Sequence, residues 1–395
     1  MSNGREVVVV SGVRTAIGDY GGGLKDIAPT ELAARVVREA VSRARVAPEV
    51  VGHVVFGNVI HTEPKDMYLS RVAAIQGGLA KETPALTLNR LCGSGLQAIV
   101  SAAQTLLLGD ADVALAGGAE SMSRGTYALP AARWGARMGD AQIMDMMVGA
   151  LTDPFDTVHM GITAENVAAK WGISRAMQDE LAVESNRRAA NATAKGWFRD
   201  QILPIELKSK KGPVLFDTDE HPRADASMES MAKLRAVFQK DGSVTAGNAS
   251  GINDGAAAVV LMERKTAERK GVKSMARLVA YAHAGVDPKY MGIGPVPAVR
   301  SALERAGLKL EQIDVIESNE AFAAQACAVA KDLGFDMKKV NPNGGAIALG
   351  HPIGATGCIL TVKALYELQR TGGRYGLVTM CIGGGQGIAA VFERL

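Results

Sequence analysis

The sequence predicts an α/β fold made of two similar halves, with a segment of different character inserted between them. Short β-branched runs alternate with longer stretches of helical spacing, a pattern typical of helices packed on a largely buried sheet. The same order of elements returns near both ends of the 395-residue chain. The region from about residue 121 to 245 contains few strand-like runs, so it does not belong to this repeat.

The first half is predicted to alternate strands and helices. A first strand covers Val7–Val10, and a helix begins at Thr30 and Glu31, which favour a helix start, and continues to Ala44. Several later elements end at glycines, as expected where the chain turns tightly. The later elements of this half are strands at Val54–Gly57, Ala85–Leu88, which leads to Cys92, and Val113–Ala116 and a helix at Gly95–Leu108.

The second half repeats this order. Spacings agree as well, because His53 precedes Cys92 by 39 positions and Ile313 precedes His351 by 38. We therefore expect a duplicated α/β unit whose corresponding loops face one another across a pseudo-two-fold axis, at the strand ends where such folds build sites. The predicted elements are helices at Val299–Ala306 and Ala355–Leu368, a strand at Val315-Ile316 and a last strand at Leu377–Met380.

The inserted segment is predicted to be a lid or substrate-binding excursion, because a strand-poor insertion in an α/β repeat usually lies over the site. It carries helical stretches near Glu165–Lys170 and Arg175–Ala194, the second with Ser174 as its N-cap. Its methionines could instead fill irregular gaps in a core. The predicted division is residues 1–120 with 246–272 for the first half, 121–245 for the insertion and 273–395 for the second half.

Composition excludes several classes of partner. The net charge is +3 and no dense basic stripe exists apart from Lys208, Lys210 and Lys211, which argues against nucleic acid. Four widely spaced cysteines without a CxxC pair argue against a disulfide framework, and no His/Cys combination has the spacing of a metal site. We see no signal peptide and no apolar stretch near the ~20 residues that span a bilayer, so the expected location is the cytoplasm and no membrane partner is expected.

Cys92 is the candidate nucleophile. It lies in the run Leu91-Cys92-Gly93-Ser94-Gly95, between a predicted strand and a small-residue helix whose N-terminus favours a thiolate. His351, in the Gly-His-Pro loop at the corresponding position of the second half, is the candidate base for this thiol. Since an isolated Cys is more often a buried small hydrophobe, the functional interpretation depends on this pairing.

Further candidate residues follow the predicted strands of the second half. Cys381 comes after the last strand and is a candidate general acid/base, and the glycine run with Gly383 exposes backbone N–H groups suited to an oxyanion. Asn319 can orient a water or stabilise negative charge. Glu320 is expected to orient His351 or a backbone group rather than to transfer a proton.

Five blocks of residues in the chain resemble the signature blocks of the thiolase family and occur in the family's order. The resemblance covers essentially the whole chain and is greatest to bacterial β-ketothiolases (acetyl-CoA acetyltransferases), some of which serve polyhydroxyalkanoate synthesis. The blocks are Asn89–Gly95, Asn319–Ala323, Asn341–Gly345, Gly350–Pro352 and Cys381–Gly387.

The resemblance implies a five-layer αβαβα fold, a homotetramer built as a dimer of dimers, and a reversible Claisen condensation. Two acetyl-CoA molecules, or acetyl-CoA and a short acyl-CoA, give 3-oxoacyl-CoA and CoA through an acyl-Cys92 intermediate. In the family the residue at His351 activates the nucleophile, and the one at Cys381 shuttles the α-proton of the acetyl group. The residue at Asn319 holds a water that forms one oxyanion hole with the histidine, and the N–H groups at Cys92 and Gly383 form the other. No metal or further cofactor is implied, because CoA is itself a substrate and product.

The resemblance also implies a channel for CoA and the acyl chain. The segment 219–225 departs in its details from the family's pattern, and His159 taken alone could equally be a buried structural histidine. The implied channel residues are Leu151, His159, Met160, Arg223, Phe238, Ala246, Ser250, Met291 and Phe322.

Three alternative functions compete with an acetyl-CoA acetyltransferase. A β-ketoacyl synthase shares the duplicated fold but uses two histidines, or His with Asn, so Cys381 favours thiolase. A non-catalytic acyl-CoA or lipid-binding relative would be damaged at Cys92, His351 or Cys381, and all three are present. A degradative 3-ketoacyl-CoA thiolase of broad chain length is the nearest alternative, although the His159-Met160-Gly161 block favours the short-chain type.

Overall fold

The computed structural model describes residues 4–208 and 212–395, so Lys210 and Lys211 of the predicted basic cluster lie outside it. Eleven strands of the described residues form one sheet, which consists of two similar parts joined in the middle. The elements of the first part are β1 (Val7–Thr15), β2 (Gly18–Asp19), α1 (Pro29–Ala44), β3 (His53–Gly57), α2 (Leu69–Gln76), β4 (Ala85–Leu88), α3 (Ser94–Leu108) and β5 (Val113–Ser121).

After β5 the chain largely leaves this sheet for a segment of helices and very short strands. Its two longest helices, α5 (Met160–Trp171) and α6 (Arg175–Ala194), confirm the helical stretches predicted there. Ser174 Oγ accepts a hydrogen bond from Met177 N as the predicted N-cap. The segment contains β6 (Tyr127–Ala128), β7 (Met144–Asp145), α4 (Met146–Ala150), α5 (Met160–Trp171), α6 (Arg175–Ala194), β8 (Ile202–Leu203), β9 (Ile205–Leu207), β10 (Val214–Phe216) and α7 (Met228–Ala232).

The chain returns to the main sheet with a long buried strand and then builds the second part. That strand pairs antiparallel with both β5 and β1, which completes the first part. The remaining elements are β11 (Asn253–Glu263), α8 (Arg264–Arg269), β12 (Ala276–Gly285), α9 (Pro295–Ala306), β13 (Val315–Ser318), α10 (Ala323–Leu333), α11 (Ala346–Leu349), α12 (Thr356–Thr371), β14 (Tyr375–Ile382) and β15 (Gln386–Arg394).

The two parts of the sheet have the same strand order. The first part has the order β4-β3-β5-β11-β1, and the second has the order β13-β14-β15-β12. The second part has no strand that corresponds to β4, but a parallel bridge between Ile316 and Val340 lies at that position. The parts meet where β1 and β12 pair antiparallel over only two residues, Val8 and Val9 of β1. This arrangement confirms the predicted duplication.

The spacing of the elements repeats more closely than the sequence alone indicates. In the first part, α3 begins 41 positions after the start of β3. In the second part, α12 likewise begins 41 positions after the start of β13. The expectation that Cys92 and His351 occupy equivalent positions is wrong in detail, because Cys92 precedes its helix by two residues and His351 by five. They lie in corresponding loops, which is what the site requires.

Helices cover and separate the two parts of the sheet. α3 and α12 pack against each other, α3 also against β3 and β5, and α12 also against β13 and β14. α1 packs on the first part and α9 on the second. The order of layers is therefore α1, sheet, α3 with α12, sheet and α9, the predicted five-layer αβαβα arrangement.

A glycine in each central helix allows their N-terminal ends to approach closely. A Cβ on Gly95 in α3 would lie 2.7 Å from the backbone N of Cys358, and one on Gly357 in α12 would lie 2.2 Å from the backbone N of Leu96. Both glycines are the second residue of their helix. This contact brings together the loops that precede the two helices, one with Cys92 and the other with His351.

Replacing Gly357 by Ala is expected to destabilise the fold by about 2–3 kcal/mol, because a backbone atom cannot yield to the added methyl as a side chain can. The free energy of unfolding in urea measures the effect. Gly149→Ala is the matched control, since Gly149 is helical and a Cβ there meets nothing within 4 Å. Equal stability of the two variants would show that the close approach of the helices is not required.

The inserted segment is anchored to the first part by a buried ion pair. The guanidinium of Arg14 in β1 contacts the carboxylate of Asp219 at 2.7 and 3.0 Å, with side chains 0% and 1% exposed. Arg14 Nε also donates to Gln201 Oε1 at 2.8 Å. Paired in this way, both charges are satisfied, so the segment is held against the sheet.

Several elements were not predicted from the sequence, four of them long elements of the two halves, and one prediction was wrong. The strands β11, β12 and β15 and the helix α10 were missed, and Leu377–Met380 is not the last strand because β15 follows it. β14 and β15 form a hairpin joined by the three glycines at 383–385. The turn occupies the place in the second part where the first part carries its long insertion.

Within the part of the chain that the structure describes, one helical window has the length and apolar character of a membrane span. It covers Leu91–Leu108, an 18-residue window that corrects the expectation that no such stretch exists. More than half of it, 56%, is buried inside the protein, because α3 is one of the two central helices. This burial identifies the window as part of a core helix of the protein.

Candidate active site

Cys92 lies in a tight turn between β4 and α3. The turn is held by Asn89 Oδ1, which accepts from Leu91 N at 2.8 Å, and by Ser94 Oγ, which accepts from Arg90 N at 2.8 Å and donates to the Leu91 carbonyl at 2.7 Å. Leu91 has a φ of 45°, a conformation that costs energy in a residue other than glycine. The strained residue directly precedes the candidate nucleophile.

The Cys92 thiol is neutral at rest. Its surface is partly exposed because it faces a cavity, but burial by the surrounding atoms raises its pKa to about 11. The backbone N–H groups of Gly383 and of Cys92 itself point at the sulfur and oppose this effect, while the Glu120 carboxylate adds to it. The helix N-terminus favours a thiolate, but desolvation outweighs this effect, so the thiol needs a base.

His351 is buried in the loop before α12, with 5% of its surface exposed. Its backbone N–H donates to Asn253 Oδ1 at 2.9 Å, which fixes the loop to β11. One ring nitrogen, Nδ1, lies 2.7 Å from Thr356 Oγ1, and the other, Nε2, lies 3.4 Å from Asn319 Nδ2. Burial lowers the pKa of this imidazole to about 4, so it is neutral at pH 7.

Asn319 and Glu320 follow β13, as predicted, but they act on different groups. Asn319 is fully buried against His351, and its Oδ1 makes no hydrogen bond within the described residues. Glu320 does not contact His351, which corrects the first of its two expected roles. It accepts hydrogen bonds from Ser185 Oγ, Asn341 Nδ2 and the backbone N–H of Ile347, so the second expected role, orienting backbone, is confirmed.

Cys381 is the penultimate residue of β14, and the glycine turn follows it. It is fully buried, and both burial and the neighbouring Cys92 raise the pKa of its thiol. In the turn, a Cβ on Gly383 would lie 2.9 Å from Met160 Cε. Glycine at this position therefore allows Met160 to pack over the backbone N–H that points at Cys92.

One cavity of about 400 Å³ brings these residues together. Its lining includes Cys92, His351, Cys381 and Gly383. Asn319 does not line the cavity but lies next to His351. The lining is mainly apolar, which suits an acyl chain and the pantetheine arm of a thioester. It includes eight of the nine residues predicted for the channel: Leu151, His159, Met160, Phe238, Ala246, Ser250, Met291 and Phe322.

The ninth predicted channel residue, Arg223, does not line the cavity. Its side chain is 65% exposed, and its nearest acidic partner is Asp19 at 3.7 Å. Arg223 belongs to the segment 219–225, whose match to the family's pattern was expected to be less typical.

Aromatic rings form one wall of the cavity. His159 stacks on Phe238 with ring centroids 4.6 Å apart, and Phe238 meets Phe322 edge to face at 6.1 Å. His159 Nδ1 accepts from the backbone N of Gly161 at 3.0 Å, which caps α5. His159 is thus both a structural cap and a cavity residue, so the two interpretations offered by the sequence are compatible.

Sequence reasoning missed residues that shape the site without an obvious chemical motif. Glu120, buried at the end of β5, accepts hydrogen bonds from the backbone N–H groups of Val59, Ile60 and Gly354, and it thereby ties the His351 loop to the first half. Burial raises its pKa to about 8. Other missed residues line the cavity: Met122, Ala150, Val237, Thr245, Ala249, Gly251, Ile252, Ala321 and Ile353.

Comparison with known families agrees with this geometry. Residues 7–265 match the family model of the thiolase N-terminal domain, and residues 272–394 match that of the thiolase C-terminal domain. The chain is 70% identical over 392 residues to "Beta-ketothiolase BktB" of Cupriavidus necator, a match that covers 99% of this chain and 100% of the relative. It is 53% identical over 391 residues to "Acetyl-CoA acetyltransferase" of Chromobacterium violaceum, covering 98% of this chain and 100% of that protein.

Solved structures show the same fold. The acetyl-CoA acetyltransferase of Bacillus anthracis superposes with a TM-score of 0.97 at 47% identity, with 99% of each chain covered. Human mitochondrial 3-ketoacyl-CoA thiolase in complex with CoA gives a TM-score of 0.96 at 45% identity, covering 99% of this chain and 98% of that one. Similarity of this extent runs through both halves, the insertion and the loops that carry the two thiols and the imidazole. The chain belongs to the thiolase family.

Proposed function

We propose that the protein is an acetyl-CoA C-acetyltransferase, a β-ketothiolase that condenses two acetyl-CoA molecules, or acetyl-CoA and a short acyl-CoA, and also catalyses the reverse cleavage. The observation that carries this proposal is the convergence of two thiols and one imidazole, Cys92, Cys381 and His351, on one apolar cavity. Two backbone N–H groups point at the first thiol. The names of the 70% and 53% identical relatives agree with it.

Acyl transfer to Cys92 forms the first half of the proposed reaction. Nε2 of neutral His351 takes the thiol proton, and the thiolate attacks the carbonyl of the first acetyl-CoA. The resulting oxyanion accepts hydrogen bonds from the backbone N–H groups of Cys92 and Gly383. Cys381, a protonated thiol at rest, donates its proton to the departing CoA sulfur. Free CoA leaves, and Cys381 becomes a thiolate.

Carbon–carbon bond formation follows in the second half. A thiolate whose conjugate acid has a raised pKa is a strong base, which suits Cys381 to remove the α-proton of a second acetyl-CoA. The enolate oxygen accepts hydrogen bonds from protonated His351 and from a water held by Asn319. The carbanion attacks the acyl-enzyme, 3-oxoacyl-CoA leaves, and the Cys92 sulfur recovers its proton from His351. Every proton has returned to its starting place at the end.

The substrate is proposed to enter beneath the inserted segment. Residues 121–245 then form a CoA-binding loop domain, 1–120 with 246–272 the first half and 273–395 the second. Leu151, His159 and Phe238 line the cavity from this segment and contact the pantetheine arm. The thioester supplies both the leaving group and the α-proton acidity, so we propose no metal or cofactor beyond CoA as substrate.

We further propose a cytoplasmic homotetramer made of two dimers. The residues of the β6–β7 hairpin and its flanks in the insertion support self-association, because their large apolar side chains are exposed to solvent. Trp134 is 87% exposed and Met138 94% exposed. Large exposed apolar side chains grouped in one segment often mark a surface that a partner covers.

The assay that tests the proposed function is spectrophotometric cleavage of acetoacetyl-CoA with CoA. We expect kcat/KM to be highest for C4 and C5 3-oxoacyl-CoA substrates and to fall for longer chains, because the cavity is about 400 Å³. Equal or rising kcat/KM with chain length would favour the second candidate, a degradative 3-ketoacyl-CoA thiolase, which the fit to the human mitochondrial enzyme supports. No cleavage of any chain length would contradict both.

The rate of Cys92 acetylation is expected to be flat between about pH 6 and 9. His351 must be neutral to accept a proton, and its pKa is about 4, so the rate falls only as the pH approaches that value. Cys92, with a pKa of about 11, stays protonated on the alkaline side. Rapid-quench acetylation by labelled acetyl-CoA measures the profile, with circular dichroism at each pH as the control for unfolding. A midpoint near the ordinary histidine value of about 6.5 would contradict the assigned environment.

A further inference from the structure

The base of the proposed mechanism can act only in one of its two neutral forms. A neutral imidazole carries its hydrogen on Nδ1 or on Nε2, and only the nitrogen without it accepts a proton. Nε2 of His351 is the nitrogen beside Asn319, whereas Nδ1 faces away, toward α12. The hydrogen must therefore be held on Nδ1 for the resting enzyme to activate Cys92.

The hydroxyl of Thr356 is the only hydrogen-bond partner that the described residues offer to Nδ1. Its Oγ1 lies 2.7 Å from Nδ1 and 2.9 Å from the carbonyl oxygen of Pro352, and its side chain is buried with 2% exposure. A hydroxyl has one hydrogen to donate. A threonine in the first turn of a helix commonly donates it to the carbonyl four residues earlier, which here is Pro352.

With its hydrogen on the Pro352 carbonyl, Thr356 Oγ1 can only accept from the imidazole. A carbonyl has no hydrogen to give back, so the direction of both bonds is set by Pro352. The chain of bonds then runs from Nδ1–H of His351 to Thr356 and from Thr356 to Pro352. Nε2 is left with its lone pair, toward which Asn319 Nδ2 donates at 3.4 Å.

We propose that Thr356 is a positioning residue that holds His351 in the Nδ1–H form, so that Nε2 is free to accept the proton of Cys92. This inference rests on the proposed function for its meaning in catalysis. The proton moves from Cys92 Sγ to His351 Nε2 and back, and the Nδ1–H bond to Thr356 persists through both steps. Thr356 itself exchanges no proton and touches no reacting atom.

Thr356→Val removes the hydroxyl and keeps nearly the same shape, and Thr356→Ser is the matched control that keeps the hydroxyl. In the Val variant a hydrogen on Nδ1 has no acceptor, so it moves to Nε2, where it blocks proton transfer. We expect iodoacetamide to alkylate Cys92 about 10- to 100-fold more slowly, by analogy with other changes of a histidine's orienting partner. kcat should fall by a similar factor. KM for acetyl-CoA should change by less than about threefold in either direction.

The Ser variant is expected to retain alkylation and kcat within about threefold of the parent chain. A Val variant that keeps both rates within twofold, or a Ser variant that loses as much as Val, overturns the proposal. If circular dichroism shows that the Val variant does not fold, Thr356→Ala is compared with Ser by the same criteria, since it removes the hydroxyl without adding a methyl. Alkylation needs no thioester, so it remains decisive for Thr356 even if the parent chain proves unable to cleave acetoacetyl-CoA.

Discussion

Cys92→Ser is expected to lower kcat in both directions by at least about 10⁴-fold while the protein keeps its fold. A serine hydroxyl is far less acidic than a thiol, and His351, with a pKa of about 4, is too weak a base to remove its proton. The change from sulfur to oxygen is small, and the residue faces the cavity, so the packing around it is kept. Cleavage and condensation assays measure the loss, and thermal unfolding measures the fold.

Cys327→Ser provides the matched control for this variant. Cys327 is also a partly exposed free thiol, but it lies in α10 and does not line the cavity. Its replacement should leave kcat within about twofold of the parent chain. Near-normal turnover of Cys92→Ser, or an equal loss in the control, would remove Cys92 from the mechanism.

Cys381→Ala is expected to slow carbon–carbon chemistry by about 10³-fold and acetylation of Cys92 by much less. The first half of the reaction can release CoA as a thiolate, but the second half has no other base for the α-proton. Rapid-quench acetylation by labelled acetyl-CoA measures the first half, and exchange of the acetyl α-protons with deuterated solvent measures the second. The acyl-enzyme should therefore accumulate in this variant.

Cys358→Ala controls for the removal of a buried thiol. Cys358 is fully buried in α12, as Cys381 is in β14, but it packs in the core and not in the cavity. Its replacement should cost stability without separating the two half-reactions. Equal losses of acetylation and proton exchange in Cys381→Ala would contradict the role of Cys381 as the α-carbon base.

The central elements of the fold could be predicted because their patterns are strong and local. The apolar run of α3 and the β-branched run of β3 have the periodicity of a helix and of a buried strand, and the order of elements repeats. The duplication then predicted that two loops would meet, and the glycine contact between Gly95 and Gly357 shows how they do. That contact itself was not predictable, because a glycine's neighbour across the fold leaves no mark in its own sequence.

Two of the missed strands, β11 and β15, begin with sequences that do not favour strands by themselves. β11 begins Asn-Asp-Gly-Ala-Ala-Ala, and β15 begins Gln-Gly-Ile-Ala-Ala, rich in residues of low strand propensity. They form strands because each lies between two others in the sheet, β11 between β1 and β5 and β15 between β12 and β14. Tertiary pairing overrides local preference there.

The candidate site could be predicted for residues with chemical character and not for their supports. Cys92, His351 and Cys381 stand in recognisable glycine-rich blocks, and the structure places all three on one cavity. Glu120 acts through a hydrogen bond to Gly354, which only the fold brings near. The contact of Thr356 with His351 depends on the exact backbone of the loop and the helix start between them. The pKa of the thiol could not be predicted for a related reason, because the desolvation that raises it depends on atoms from distant parts of the chain.

The most direct test of the central claim is peptide mass spectrometry after brief incubation with acetyl-CoA and an acid quench. We predict one acetyl group per chain, bound as a thioester to Cys92 and released by added CoA. Cys381, Cys327 and Cys358 should remain unmodified. An acetyl group on another cysteine with Cys92 free, or no acetylated cysteine in a chain that cleaves acetoacetyl-CoA, would contradict the account.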